Sequence, residues 1–159
     1  MERLKRLEDI CQPDERNQHR VDIDHSTGAV TPTTVESIYV LVEDIKLGAG
    51  VPDEVRSHFE VARNLAIYSW FVYSFHEVAV MQAMASLEMA AKAKTGEAQT
   101  PFKNLLDKLF PGRELAPGIS LGKAVTYFRN ELAHGSTMLT GQSVMFLQRC
   151  SELINELYP

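Results

Sequence analysis

Apolar residues recur along this chain at three- and four-residue spacing and rarely alternate, so the pattern predicts helices. Residues 2–11 set Leu4, Leu7 and Ile10 three apart among charges, which predicts a short amphipathic helix stopped at Pro13-Asp14. The polar stretch 12–32 predicts a loop with a small hairpin around Asp24–Gly28. Thr33 and Glu36 have the spacing of a capping box, in which a hydroxyl and a carboxylate satisfy orphan amides reciprocally. A helix should follow with Val35, Ile38, Tyr39, Val42 and Ile45 as its apolar face, ended by Gly48-Ala49-Gly50.

From Asp53 to Thr95 there is neither glycine nor proline. One continuous helix there would run ~65 Å, longer than the roughly 40 Å diameter of a domain of this size. The stretch must therefore fold back, and Ser74-x-x-Glu77, a second capping-box spacing, marks the expected break. This places one helix at about 53–73, with an aromatic cluster near its end, and an Ala- and Met-rich one at about 75–95. Small side chains permit close helix approach, so the second should be central, its methionines filling core. Thr100-Pro101 predicts a helix through Phe102, Leu105, Leu106, Leu109 and Phe110, stopped by Pro111-Gly112. Residues 111–119 should be loop. Ser120 then caps a helix with Leu121, Ala124, Val125, Phe128 and Leu132 on one face, and a last helix runs over about 140–157. The reading is a single all-α domain over 1–159, a bundle of five or six helices. Residues 1–50 form an N-terminal part of unassigned role, and 52–157 the helical core.

Composition is ordinary, 45% hydrophobic and 23% charged in 159 residues. No apolar run is long enough for a membrane span, and the charged start has no apolar signal core, which together predict a cytoplasmic protein. Cys11 and Cys150 lie far apart and form no zinc pattern with histidine, so no metal and no cofactor are expected. Asp22–Gly28 has aspartates at calcium-loop spacing, but Thr27 and Thr33 stand where an EF-hand needs glycine and glutamate, which favours a plain turn. The net charge of −5 argues against a broad nucleic-acid surface while leaving room for a local anion site.

The chemistry concentrates in Arg129-Asn130-Glu131-Leu132-Ala133-His134-Gly135. Arginine can fork onto phosphate oxygens and stabilise developing charge, and histidine can move protons. That pair suits phosphodiester cleavage, with no metal required if an RNA 2′-hydroxyl is the nucleophile; Asn130 can bond the imidazole or a phosphate oxygen. On an ideal helix residues five apart sit ~140° apart. Arg129 and His134 therefore converge only if the helix stops between them at Gly135, or if two copies of the chain meet. The plainer reading makes Arg129 a surface ion-pair partner and His134 a helix cap. Glu88 lies on or beside an apolar face and needs a partner, either Arg129 or Lys92 four residues on. Arg63-Asn64 repeats the motif's start with Tyr68 where histidine should be and reads as structural, as do His58 and His76.

Phe128–Gly135 resembles the signature of the HEPN superfamily, and Val78–Lys94 resembles the central helix of such domains, where a glutamate often lies near the arginine–histidine pair. The likeness spans roughly 52–157 and is specific only at Arg129–Gly135. It implies a helical bundle that dimerises with two motif helices in one cleft. It further implies a metal-independent endoribonuclease, often a toxin, antiphage or stress effector, in which Arg129 binds and polarises phosphate, His134 is acid and base, and Asn130 and Glu88 support them. An antitoxin or a nucleotidyltransferase would be a matching partner. Other members of that superfamily are non-catalytic modules that bind a nucleotide or a protein, and the acidic composition leans that way. A third reading is a helical interaction domain whose motif only stabilises a dimer.

Overall fold

The computed structural model describes residues 4–24, 26–134 and 142–159. Among these it is mostly helical, with six α-helices: α1 (Val35–Glu43), α2 (Asp53–Tyr68), α3 (Phe75–Thr95), α4 (Phe102–Leu109), α5 (Leu121–Ala133) and α6 (Ser143–Leu157). Two short antiparallel ribbons complete it. β1 (Val21–Ile23) pairs with β2 (Val30–Pro32), Asp22 opposite Thr31, and β3 (Glu114–Ala116) pairs with β4 (Ile119–Ser120). The first ribbon is the small hairpin expected around Asp24–Gly28. The second lies where a loop was expected, its two strands too short for a period of two to register. Its turn is made by Pro117 and Gly118, the latter at φ 74°.

Helix α3 is the centre, as its Ala and Met content predicts. Ala79, Val80, Ala83, Met84, Leu87 and Ala90 are all buried, and α2, α4, α5 and α6 pack around it. Residues before 52 join the same core through Ile38, Val42, Ile45 and Val51. The C-terminal end is tied in as well. The Tyr158 hydroxyl donates to the Ala90 carbonyl at 2.9 Å, and Asn155 accepts from Gly48 N at 2.8 Å and donates to the Lys46 carbonyl at 3.0 Å.

Several expectations are corrected. The amphipathic helix at 2–11 is reduced, in its described part, to one 3₁₀ turn at Leu7–Asp9, and Leu4 is 99% exposed. Nothing covers its apolar residues, and a helix that short does not hold itself together in water. The first capping box is shifted by one residue. Thr34 accepts from Ser37 N at 3.1 Å while Ser37 Oγ accepts from Thr34 N at 3.0 Å. Thr33 is already committed to the hairpin, its hydroxyl donating to Asp22 at 2.9 Å and its amide to the Arg20 carbonyl. Tyr39, expected on the apolar face, is exposed.

The break between α2 and α3 occurs at 69–74, but α2 ends at Tyr68 and Ser74 makes no capping bond. The cause lies in the N-terminal segment. Buried Asn17 donates from Nδ2 to the carbonyls of Ser69 (2.8 Å) and Trp70 (3.0 Å), Asp14 N donates to Trp70 (2.9 Å), and Tyr73 N donates to Asp14 Oδ2 (3.3 Å). Those carbonyls, just past the end of α2, thereby find their partners outside the helix. At Thr100-Pro101, Pro101 itself takes the cap position of α4, and the Thr100 hydroxyl donates to Glu97 instead.

Helix α5 begins against α4 with almost no gap. Ser120 Oγ accepts from Lys123 N at 3.3 Å, as predicted, and Asp107 Oδ1 accepts from Gly122 N at 3.2 Å. A β-carbon on Gly122 would collide with the Lys103 carbonyl and stand 2.6 Å from Asp107 Oδ1. Gly122→Ala is therefore expected to destabilise the protein by about 2 kcal/mol, read as a lowered urea midpoint. An unchanged midpoint would show that the two helices are not this close.

Candidate functional site

Arg129–Ala133 of the motif form the last turn of α5, and His134 follows as its C-cap. Leu121 and Ala124 are buried at the helix start, and Val125, Phe128 and Leu132 pack half-buried against the core. This fixes the helix's rotation and turns Arg129 toward α3 and α4. Arg129 Nη1 lies 2.8 Å from Glu88 Oε2, and its guanidinium sits 6.0 Å from the centroid of the Phe102 ring. Glu88 uses its other oxygen on Lys92 Nζ, also at 2.8 Å. Both candidate partners of Glu88 are thus taken at once. Glu88 is only 17% exposed at its side chain and Arg129 40%, so the carboxylate is the sheltered member and the guanidinium keeps an open side.

Asn130 and His134 are exposed. His134 follows the last helical residue at φ −90° and ψ 11°, and its amide donates to the Asn130 carbonyl at 3.0 Å. The last bond of the helical ladder reaches His134, but α5 itself ends at Ala133, between Arg129 and His134, and Gly135, the expected stop, lies outside the described residues. Arg129 is half-buried against Glu88 whereas His134 is exposed, and on an ideal helix positions five apart fall ~140° round from one another.

The other polar candidates have structural tasks. Arg63 caps the end of α1, donating to the carbonyls of Val42 (3.1 and 3.2 Å) and Glu43 (3.2 Å). Asp24 collects the amides and hydroxyls of Ser26 and Thr27, the plain turn expected there. His58 Nδ1 lies 2.8 Å from Ser86 Oγ and joins α2 to α3. Cys150 is buried, and burial pushes its thiol up to about 12, which leaves it unreactive. Among the described residues no three His, Cys, Asp or Glu side chains are grouped to hold a metal, and no helix is long and apolar enough to cross a membrane. A hollow of about 1200 Å³ lies open between the N-terminal segment and the 69–75 turn, lined by Leu4, Ile10, Val72 and Phe75 among others. It contains none of the motif residues, and its walls offer no constellation of catalytic groups.

Sequence reasoning passed over the environment of His76. This residue is 1% exposed and joins three separate segments. Arg20, a cation, must donate to Nε2 (3.3 Å), so Nδ1 carries the proton and donates to Ser143 Oγ (2.7 Å), the first residue of α6. Burial, then the charges of Arg20 and Arg16, outweigh Asp14 and push the imidazole down to about 4. No pattern in the sequence distinguishes it, because its partners come from positions 20 and 143.

Comparison with models of known protein families, with curated proteins and with solved structures gives no match to this chain.

Two predictions follow from these groups. Unfolded, His76 takes up its proton near 6.5, and folded near 4. The unfolded chain binds more protons between those values, so stability present above pH 6.5 is lost as the pH falls to 4, by up to about 3 kcal/mol. Asp14, held down to about 2 chiefly by Arg16, stays ionised across that window. Urea unfolding at stepped pH should show the fall, and His76→Gln should flatten it; an equal slope in the variant would refute the assignment. For the motif pair, a double-mutant cycle of Glu88→Gln and Arg129→Gln should give a coupling of about 1 kcal/mol, the upper end for partly exposed ion pairs. Additive effects would mean that the pair does not form in solution.

Proposed function

We propose that the protein is a metal-independent endoribonuclease of the HEPN type, cytoplasmic and working as a homodimer. The observation that carries this reading is the placement of Arg129. A sheltered carboxylate orients it from the neighbouring helix at 2.8 Å, while the carboxamide of Asn130 and the imidazole of His134 are exposed at the same helix end. Glu88 serves both Arg129 and Lys92, leaving one positive charge in excess in that triad. An anion can be received there despite the chain's net charge of −5.

In this reading Arg129 holds the non-bridging phosphate oxygens and stabilises the charge that grows on them. His134 accepts the proton of the RNA 2′-hydroxyl as its oxygen attacks phosphorus. The bond to the 5′-oxygen breaks, and that oxygen takes a proton from an imidazolium, leaving a 2′,3′-cyclic phosphate and a 5′-hydroxyl. Because Arg129 is half-buried against Glu88 and His134 is exposed, the pair acts across two copies of α5, which also supplies one imidazole as base and the other as acid. Asn130 orients the phosphate or the imidazole. A toxin, antiphage or stress effector, controlled by an antitoxin or a nucleotidyltransferase partner, is the setting that the family resemblance offers.

A second reading has its own support. With Arg129 already paired to Glu88, the same helix end suits a non-catalytic module that binds a nucleotide or a protein. The two separate in one assay. The purified dimer should cut single-stranded RNA in the presence of EDTA and release 2′,3′-cyclic phosphate ends, and His134→Ala should lower the rate by at least about a hundredfold, the contribution of a general acid–base group. RNA left intact by the wild-type dimer, with tight binding of a nucleotide instead, would overturn the nuclease reading.

A further inference from the structure

Helix α5 carries a second pattern that the motif does not include. Lys123, Tyr127, Asn130 and His134 are spaced four, three and four residues apart, and all four are exposed. At 100° per residue they fall within roughly 60° of one another, a single outward stripe ~16 Å long. Arg129 lies off this stripe, and the only carboxylate on the helix, Glu131, borders it, about 40° round from Tyr127 and one turn beyond it. The stripe therefore offers a cation at one end, an imidazole at the other, and an aromatic ring and an amide between.

Tyr127 is 61% exposed, yet it is braced. Its ring meets Phe128 edge-on, with centroids 6.1 Å apart at 72°, and Phe128 meets Phe146 of α6 the same way, at 5.8 Å and 71°. Phe128 and Phe146 are themselves packed against the core. The chain of rings holds Tyr127 in place and leaves its outer surface bare. A fixed, exposed aromatic face flanked by a cation and by hydrogen-bonding groups has the composition of sites that hold unpaired nucleotides. There bases stack on rings whatever their identity, and cations follow the phosphates. Charge points the same way. Lys123 and Arg129 face one carboxylate on their own helix, and Glu88 is shared between Arg129 and Lys92.

We infer that the outward stripe of α5 binds single-stranded RNA, with a nucleobase stacked on Tyr127 and the adjoining phosphate reaching toward Asn130 and His134. Tyr127 is then a positioning residue that selects unpaired over paired RNA, because a base within a duplex offers no free face. The cutting step rests on the nuclease reading above; the binding does not.

The test titrates a short fluorescein-labelled single-stranded RNA of mixed sequence, 2′-O-methylated so that it cannot be cut, into the full-length protein, followed by anisotropy, with and without a change at Tyr127. Tyr127→Ala should weaken binding about tenfold and Tyr127→Phe should leave it within about twofold, as the loss or retention of one stacked base requires. The same sequence as a duplex should bind more weakly and ignore the substitution. Sedimentation should show the same assembly state for all variants. Equal binding by Tyr127→Ala, or no binding of single strands at all, would overturn the proposal. So would a loss of binding that accompanies dissociation of the dimer, since Tyr127 would then belong to the contact between copies. Tyr127-dependent binding, with the unmethylated RNA never cut by the wild-type protein, would sink the nuclease reading and keep the stripe. Unimpaired cutting of single strands by Tyr127→Ala would do the reverse.

Discussion

Three hydrogen bonds from residues 14 and 17 decide how this chain folds back on itself. The 43 residues from Asp53 to Thr95 contain no residue that must end a helix. What turns the chain after α2 is the bonding of the Ser69 and Trp70 carbonyls to Asn17 and Asp14, with Tyr73 N returned to the Asp14 carboxylate. These carbonyls lie just past the end of α2 and find their partners in the N-terminal segment, so the turn is fixed by donors from outside the helix. Asp14 is held ionised by Arg16, which also lies over the Tyr73 ring at 4.4 Å, so the clasp is electrostatically set as well as hydrogen-bonded. His76, the second residue of α3, adds a second tie from Arg20 to the start of α6.

Everything at the motif depends on the reversal so produced. It makes α3 the buried axis on which α2, α4, α5 and α6 lie, and it sets the direction in which Glu88 emerges. On the opposite side, Gly122 lets α5 press against α4 until backbone meets backbone, and Ser120 and Asp107 hold its first amides. With that end fixed, thirteen residues of regular helix carry Arg129 to the carboxylate of Glu88 and leave Asn130 and His134 in the open. The ion pair is thus the consequence of two remote constraints, one at residues 14–17 and one at Gly122. Neither contributes a group to the chemistry proposed for the site.

The same two-sidedness separates what Arg129 and His134 can do alone from what they can do in pairs. A regular α5 turns Arg129 inward to an oriented, half-screened position and His134 outward to solvent. The last bond of the helical ladder runs from His134 N to the Asn130 carbonyl. In the proposed nuclease, joint action on one phosphate draws on a second copy of α5.

The sequence by itself determined that the chain is helical, where the helices after residue 52 lie, which helix is central, and that Glu88 needed a partner. These follow from apolar spacing, small side chains, caps and the cost of burying a charge, all of which act within a few turns of one helix. It also showed Arg63-Asn64 to be structural. Tertiary structure alone decided the rest. It chose Thr34 over Thr33 as the first cap because Asp22 claims Thr33, and it dissolved the N-terminal helix because nothing covers Leu4 and Leu7. It gave Glu88 both Arg129 and Lys92, and His76 both Arg20 and Ser143. Arg129 for Glu88 and Arg20 and Ser143 for His76 come from tens of residues away, and a periodicity read along one helix carries no information about which distant group will arrive at its side.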